Sequence, residues 1–335
     1  MDIRTGVKLA PYTTLKVGGA AAHLVTVTSE AELQQVQQFA TQIAAPVLLL
    51  GSGSNVLVSD QGFTGVVIVN QIKGVDYQPT ADGAVRVTIG AGELLDDVVA
   101  DTVSRGYWGL ENLSHIPGTV GAAPIQNVGA YGVEVSDLVA SVQAVSLSTG
   151  EVRSFLNQDC QFAYRDSYFK TPAGRDWVIT SVTCTLSTDR DPHLQYGDLQ
   201  QLDAATCTLS AIRDKVIDIR STKFPDWHTV GTAGSFFKNP IISAAHRDQL
   251  LQQFPDLPTF VMPDGRYKIS LGWVLDHACN RRGYSRGAVG LYQNQALVLI
   301  NTGDSAAAIE TFAAEIATLV YEKTAITIEP EVRFV

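Results

Sequence analysis

Apolar positions along this chain recur at helical spacing in some stretches and alternate like strands in others. Leu33, Val36 and Phe39 fall on one face of a segment opened by Ser29-Glu30-Ala31-Glu32, which fits a capping box, so a helix is expected from Ser29. Pro46 ends that region. Val47-Leu48-Leu49-Leu50 reads as a short buried strand running into Gly51-Ser52-Gly53-Ser54-Asn55, and Val66-Val67-Ile68-Val69 as another. Val85, Val87 and Ile89 alternate with polar residues and predict a half-buried strand. Residues 93–105 predict a helix with Leu94, Leu95, Val98 and Val99 inward. Strands are expected at Val139–Leu147 and Trp177–Leu186, with a turn at Ser148-Thr149-Gly150.

Residues 187–207 are polar and irregular, and a new unit is expected to begin there. Its first helix opens at about Thr208, with Leu209, Ile212, Val216 and Ile219 on one stripe. Others are expected at Ser270–Ala278 and over 305–323, the latter through Ile309, Phe312, Ile316 and Leu319. In the closing strand Ile326, Ile328, Val332 and Phe334 face one side and Thr327, Glu329, Glu331 and Arg333 the other. The result is an α+β chain of three units, without internal repeats.

Composition narrows the class. With 45% hydrophobic and 17% charged residues among 335, the chain is a folded protein rather than a disordered one. It has no apolar run near the roughly 20 residues of a membrane helix. Met1-Asp2-Ile3-Arg4-Thr5-Gly6 lacks the apolar core of a signal peptide, so the expected location is cytoplasmic, without membrane insertion. Cys160, Cys184, Cys207 and Cys279 form no Cys-x-x-Cys pair and the six histidines are scattered, so no metal is expected and the cysteines read as buried thiols. A net charge of −10 argues against nucleic acid. The basic residues are uneven: 18 of the 24 Lys and Arg lie beyond residue 150, where an anionic small molecule would be gripped.

The stretch from Ile116 to Gly132, IPGTVGAAPIQNVGAYG, changes the picture most. It holds four glycines, two prolines, three alanines and no charge. Linkers are polar, and Gly and Pro break both helices and strands. Such a run reads as backbone packed against something large and bound, with N–H groups presented to it. Gly51-Ser52-Gly53 begins like a dinucleotide fingerprint, but Val56 stands where the third glycine belongs, which disfavours a Rossmann site. Residues 51–55 alone read as an ordinary loop. Together with 116–132 they read as two walls offering N–H groups to one pyrophosphate.

Three further patches stand out. Tyr164-Arg165-Asp166-Ser167 sets a cation among aromatics, or an arginine paired with Asp166. Residues 231–240, GTAGSFFKNP, place Ser235 after a glycine, or form a hydroxyl-capped turn into a strand. Glu331 and Arg333 share a strand face, or form a solvated edge.

In this order the strings Leu50–Asn55, Ile116–Gly132, Tyr164–Ser167, Gly234–Pro240 and Glu329–Phe334 resemble the UDP-N-acetylenolpyruvoylglucosamine reductase family, over nearly the whole chain. Tyr196-Gly197-Asp198-Leu199 looks like the subclass that closes an extra tyrosine-bearing loop over the substrate. The resemblance implies an α+β fold, the FAD-binding fold of the vanillyl-alcohol-oxidase type. It implies flavin-binding subdomains at 1–72 (joined by a C-terminal strand at 324–335) and 73–200, and a substrate domain at 205–323. It implies non-covalent FAD, with NADPH as hydride donor and UDP-N-acetylglucosamine enolpyruvate as substrate, in a monomer. The implied flavin contacts are Leu50, Gly51, Ser52, Gly53, Ser54, Asn55, Pro117, Gly118, Gly121, Ala122, Gln126, Asn127, Gly129 and Tyr131. The implied substrate contacts are Tyr164, Tyr196, Lys223, Asn239 and Lys268.

Arg165 matches the family's catalytic cation, Glu331 its carboxyl and Ser235 its acid. Hydride addition beside a carboxylate gathers charge on the carboxyl oxygens, which a fixed cation and a donor would stabilise. An ionised Glu331 would repel that charge, so Glu331 is expected to act protonated or to orient a donor. Ala122-Ala123 stands where relatives carry serine, and Trp227 where they have proline. An oxygen-using flavin oxidase of the same fold, or a nucleotide-sugar sensor without catalysis, are the rival readings.

Overall fold

Ser29 caps its helix as the spacing predicts. In the computed structural model, which describes residues 1–81 and 83–335, helix α1 runs Glu30–Gln42. Ser29 Oγ accepts the Glu32 N–H at 3.2 Å, while the Glu32 carboxylate reaches back to the Thr28 N–H at 2.7 Å. The return bond thus lands one residue earlier than in the usual box. Leu33, Val36 and Ala40 are the buried face.

The chain divides into two compact units. The first comprises Met1–Val7, Ala21–Ser52 and Thr64–Arg220; the second comprises Lys8–Ala20, Gly53–Phe63 and Ser221–Val335.

Two sheets build the first unit. One orders its strands Ile3–Lys8, Ala20–Val27, Phe63–Asn70 and Val47–Leu50, the last two parallel. The other orders Val152–Leu156, Val139–Ser146, Trp177–Ser187, Ala84–Gly90 and Val75–Pro79, all antiparallel. Helix α1 is their shared wall: its apolar face packs with Val25 and Ile68 of one sheet and Val145 and Val178 of the other. Glu30 adds a polar tie, accepting from Gln143 at 2.6 Å and Thr180 at 2.5 Å. On its other face the five-stranded sheet buries Val85, Val87 and Ile89 against Leu95, Val98 and Val99 of helix α2, Leu95–Ser104. Helix α3, Leu209–Lys223, packs the expected stripe against Trp108, Leu194 and Leu199.

The second unit has a sheet ordered Gly231–Ser235, Gln295–Asn301, Val289–Tyr292 and Ser285–Arg286, and a smaller one ordered Ile241–Ile242, Tyr267–Ile269 and Thr259–Val261. Helix α4 spans Ala244–Gln253. The helix expected at Ser270–Ala278 is one α turn, α5 (Leu271–Trp273), widening into a π turn at Val274–Ala278. Helix α6, Ala306–Thr324, buries Ile309, Phe312 and Ile316 as its spacing predicts.

The closing strand is shorter than its alternation suggests. Ile326, Ile328 and Val332 are buried, but Phe334 is 43% exposed and only Arg333–Phe334 is regular strand. The segment changes partners midway. Residues 329–331 lie along Phe236–Lys238, and Arg333–Phe334 then runs parallel to Val56–Leu57. Pro330, lacking an N–H, sits at that change.

All four cysteines are buried and free. Among the described residues no helix is long and apolar enough to cross a membrane.

Ser29→Ala should remove about 1 kcal/mol of stability, read as a lower denaturant midpoint at unchanged slope. A second outcome follows from Glu111, which is 0% exposed. One of its oxygens accepts the Gly109 N–H at 2.7 Å, and the other has no hydrogen-bond partner among the described residues. Burial pushes its carboxyl above the ordinary value of 4.5, against the pull of backbone N–H groups. The folded chain therefore holds this proton more tightly than the unfolded chain. Its contribution to stability declines as pH rises from that ordinary value through the higher folded one. The unfolding free energy of wild type relative to Glu111→Gln should fall with rising pH across that window; a pH-independent difference would contradict the assignment.

Candidate functional site

The uncharged segment 116–132 folds into two single 3₁₀ turns, Val120–Ala122 and Pro124–Gln126, and a small ribbon of Gly129–Ala130 with Val133–Glu134. Its first half is stitched to the turn before α2 and to that helix's first residue: Val120 donates to Glu93 O at 2.8 Å, Gly121 donates to Ala91 O at 2.9 Å, and Leu95 donates to Gly118 O at 3.0 Å. A Cβ on Gly121 would stand 2.5 Å from that of Ala91, so only glycine permits the approach. Pro117, Ala122 and Gln126 are half-buried beside it.

The first glycine turn meets this segment. Leu50 ends its strand 1% exposed, and a Cβ on Gly51 would lie 2.4 Å from Thr119 Oγ1. Ser52 Oγ is buried with no hydrogen-bond partner among the described residues. The two turns read from sequence as separate walls are thus adjacent, and a buried hydroxyl beside them lacks an acceptor or donor among the described residues. The rest of the first turn belongs to the second unit. There Gly53 takes φ +65° with its carbonyl accepting the Thr14 N–H, Ser54 is half-buried, and the Asn55 side chain donates to Glu331 O at 3.2 Å.

Tyr164 and Arg165 form the tip of a tight turn, closed by backbone bonds in both directions between Ala163 and Asp166. Arg165 is left-handed at φ +53°. Its guanidinium donates to Gly129 O at 3.0 Å and Asn127 O at 3.4 Å, and lies 5.4 Å from the Tyr164 ring centroid. Neutral carbonyls orient the cation without cancelling its charge. The Asp166 carboxylate accepts the Ser167 N–H. Asn127, 1% exposed and at φ +46°, uses its side chain within the protein: its amide donates to Glu134 and Ala163 O, and its carbonyl accepts the Ser136 N–H.

Tyr131 ends the segment at φ +52°. Its ring meets that of Tyr196 edge-on at 5.9 Å, and its phenol bonds the Arg220 guanidinium. Tyr196 is 53% exposed, on a loop anchored by buried Leu194 and Leu199. Asn112, fully buried, holds that loop to the segment, donating to both Tyr131 O at 2.9 Å and His193 O at 2.8 Å. Neither Asn112 nor Arg220 was signalled by the sequence.

In the second unit Ser235 pairs with Val298, just past a register shift in its strand where Gly234 takes φ +73°. Bulges re-aim side chains in this way. The hydroxyl that caps the turn is that of Thr232, which accepts the Gly234 N–H. Glu331, half-buried, donates its N–H to Phe236 O at 2.8 Å, so it is fastened one residue from Ser235 along the chain. Lys268 lies opposite both Ile241 and Phe260 in the small sheet, 5.7 Å from the Phe260 ring centroid. Asn239 accepts the Leu271 N–H at 3.0 Å, and Lys223 ends α3. Ser235 thus ends its strand, Asn239 lies in the link to the small sheet, and Glu331 is bonded through its backbone to the residue after Ser235.

Comparison with known proteins follows this geometry. Residues 21–155 match an FAD binding domain family, and residues 226–335 match the C-terminal domain of UDP-N-acetylenolpyruvoylglucosamine reductase. The chain is 40% identical over 328 residues to the enzyme of that name from Pasteurella multocida, covering 98% of this chain and 95% of the relative. It is 42% identical over 331 residues to that of Ralstonia nicotianae, covering 96% of each. The crystal structure of the reductase from Thermus caldophilus superposes with a TM-score of 0.69 at 25% identity, covering 99% of both chains. The α+β fold is the FAD-binding one expected from the sequence, and the chain belongs to the UDP-N-acetylenolpyruvoylglucosamine reductase family.

Proposed function

We propose that this chain reduces the enolpyruvyl double bond of UDP-N-acetylglucosamine enolpyruvate, giving UDP-N-acetylmuramate for peptidoglycan synthesis, with FAD as cofactor and NADPH as hydride donor. The observation that carries this reading is the likeness, along nearly the whole chain, to enzymes named for that activity. The buried Ser52 hydroxyl, which has no hydrogen-bond partner among the described residues, is what in the first unit suits an FAD, while the glycines at 51 and 121 let the backbone pack closely on Thr119 and Ala91 beside it. Gly51, Ser52, Pro117, Gly118, Gly121, Ala122, Gln126, Gly129 and Tyr131 would hold it in that unit, with Leu50 and Asn127 shaping the walls. Gly53, Ser54 and Asn55 continue the same turn. Bound FAD supplies hydride transfer from NADPH to the substrate double bond.

The chain's own residues manage charge and protons. Arg165, fixed by two carbonyls of the glycine-rich segment, offers its positive charge to the substrate carboxylate as negative charge gathers there. Glu331 supports the same oxygens as a protonated donor, because an ionised carboxylate would repel them. Ser235, re-aimed by the bulge at Gly234, delivers the proton to the neighbouring carbon, and Lys223 and Lys268 offset the alkoxide left behind. Tyr196 closes its loop over the nucleotide end, with Tyr164 and Asn239 as further substrate contacts. Within this reading 1–72 and 73–200 serve the flavin and 205–323 the substrate, with 324–335 returning to residues 56–57. The enzyme works as a cytoplasmic monomer.

The purified protein should be yellow, bleach with NADPH and recolour with the enolpyruvyl nucleotide; a colourless protein that takes up no FAD would refute the reading. Ser235→Ala should leave flavin reduction by NADPH near the wild-type rate and slow reoxidation by substrate by about 10²–10⁴-fold. Equal slowing of both half-reactions in rapid-mixing absorbance would remove Ser235 from the proton step.

A further inference from the structure

The two ends of the uncharged segment 116–132 are held by one helix. Arg213 and Arg220 stand seven residues apart on α3, about two turns, and so on the same side. Arg213 grips Asp96 with both terminal nitrogens, at 2.6 and 3.2 Å. The same carboxylate accepts the N–H of His115 at 2.6 Å. Arg220 donates its Nε to the His115 carbonyl at 2.9 Å and also bonds the phenol of Tyr131. His115 immediately precedes the segment and Tyr131 is its penultimate residue. Both are left-handed, at φ +59° and +52°. Non-glycine residues keep such backbone only where their surroundings over-determine it. Arg220 bonds both of them.

We propose that Arg220 is a positioning residue for the cofactor, acting through Tyr131 and His115 to fix the span of the glycine-rich segment that faces the flavin. The inference rests on the FAD reading above. The chemistry favours arginine: a planar guanidinium donates from Nε in one direction and from its terminal nitrogens in another, whereas an ammonium offers only a point charge. The role is indirect, so its loss should appear in how firmly FAD is held and in the flavin's spectrum.

The test compares holoprotein of wild type, Arg220→Met, Arg220→Lys, Tyr131→Phe, Tyr131→Ala and the Arg220→Met/Tyr131→Phe double variant. FAD dissociation is measured by recovery of free-flavin fluorescence on dilution, and the bound flavin by its visible absorption bands. Arg220→Met should weaken FAD by about tenfold, the scale of one charge-assisted hydrogen bond. Arg220→Lys should resemble it, and both should displace the flavin bands as Tyr131→Phe does. In the Tyr131→Phe background, Arg220→Met should add clearly less than in the wild type, because one of the two bonds it would cut is already gone. Wild-type affinity and bands in Arg220→Lys would show that charge alone suffices and would overturn the proposal, as would independent, multiplicative losses. If Tyr131→Ala leaves dissociation and bands unchanged, the flavin assignment of Tyr131 fails and the proposal with it. If Tyr131→Ala weakens FAD while Arg220→Met does not, only the positioning role is lost. Should Arg220→Met not fold, Arg220→Gln carries the same comparison.

Discussion

A Gly- and Ala-rich stretch of chain with no charged side chains cannot be buried unless its backbone groups are satisfied by something else. That constraint organises the first unit. The segment from Ile116 to Gly132 supplies glycine, alanine and proline, and other elements supply its partners. The turn before α2 takes the N–H groups of Val120 and Gly121, Ser167 donates to Ile125 O, and Arg165 donates to the carbonyls of Asn127 and Gly129. Asn112 donates to Tyr131 O. The side chains that complete this accounting are the ones that surround the candidate site. Satisfying a bare backbone and setting a cation beside it are here the same act.

The second unit solves a different problem, that of turning a strand residue toward chemistry. An unbroken ladder would leave Ser235 at a regular position. The register shift between Thr232 and Ser235, with Gly234 left-handed, changes its direction while Phe236 and Phe237 remain buried behind it. The N–H of Glu331 then closes on Phe236 O. A left-handed glycine precedes Ser235 and two buried phenylalanines follow it, so orientation and position are set separately.

Much of this was legible from residues alone. Ser29 and the Leu33, Val36 stripe announced α1; Val85, Val87 and Ile89 announced a strand; the lack of charge in 116–132 announced packed backbone. What stayed hidden was hidden for physical reasons. The alternation of 326–334 is real as burial, yet a strand needs one continuous partner and this segment has two. Gly272 and Trp273 look helical, but the turn after them widens to π geometry, which spacing does not encode. Asn112 and Arg220 carry no local signature at all: their partners, Tyr131, His193 and His115, lie 19, 81 and 105 residues away. Strings such as Gly234–Pro240 were found because their chemistry is local, and the braces were missed because theirs is not.

The composition of the second unit from three separated pieces has a consequence in time. Residues 8–20 and 53–63 leave the ribosome early, yet Ser59 donates to the carbonyl of Val335, and Asn55 accepts from Arg333. Those early pieces must wait, with their apolar side chains uncovered, until residues 333–335 have been translated. The late segment is therefore a closing stitch, and a chain stalled before residue 333 would lack the strand that secures Glu331 beside its neighbours.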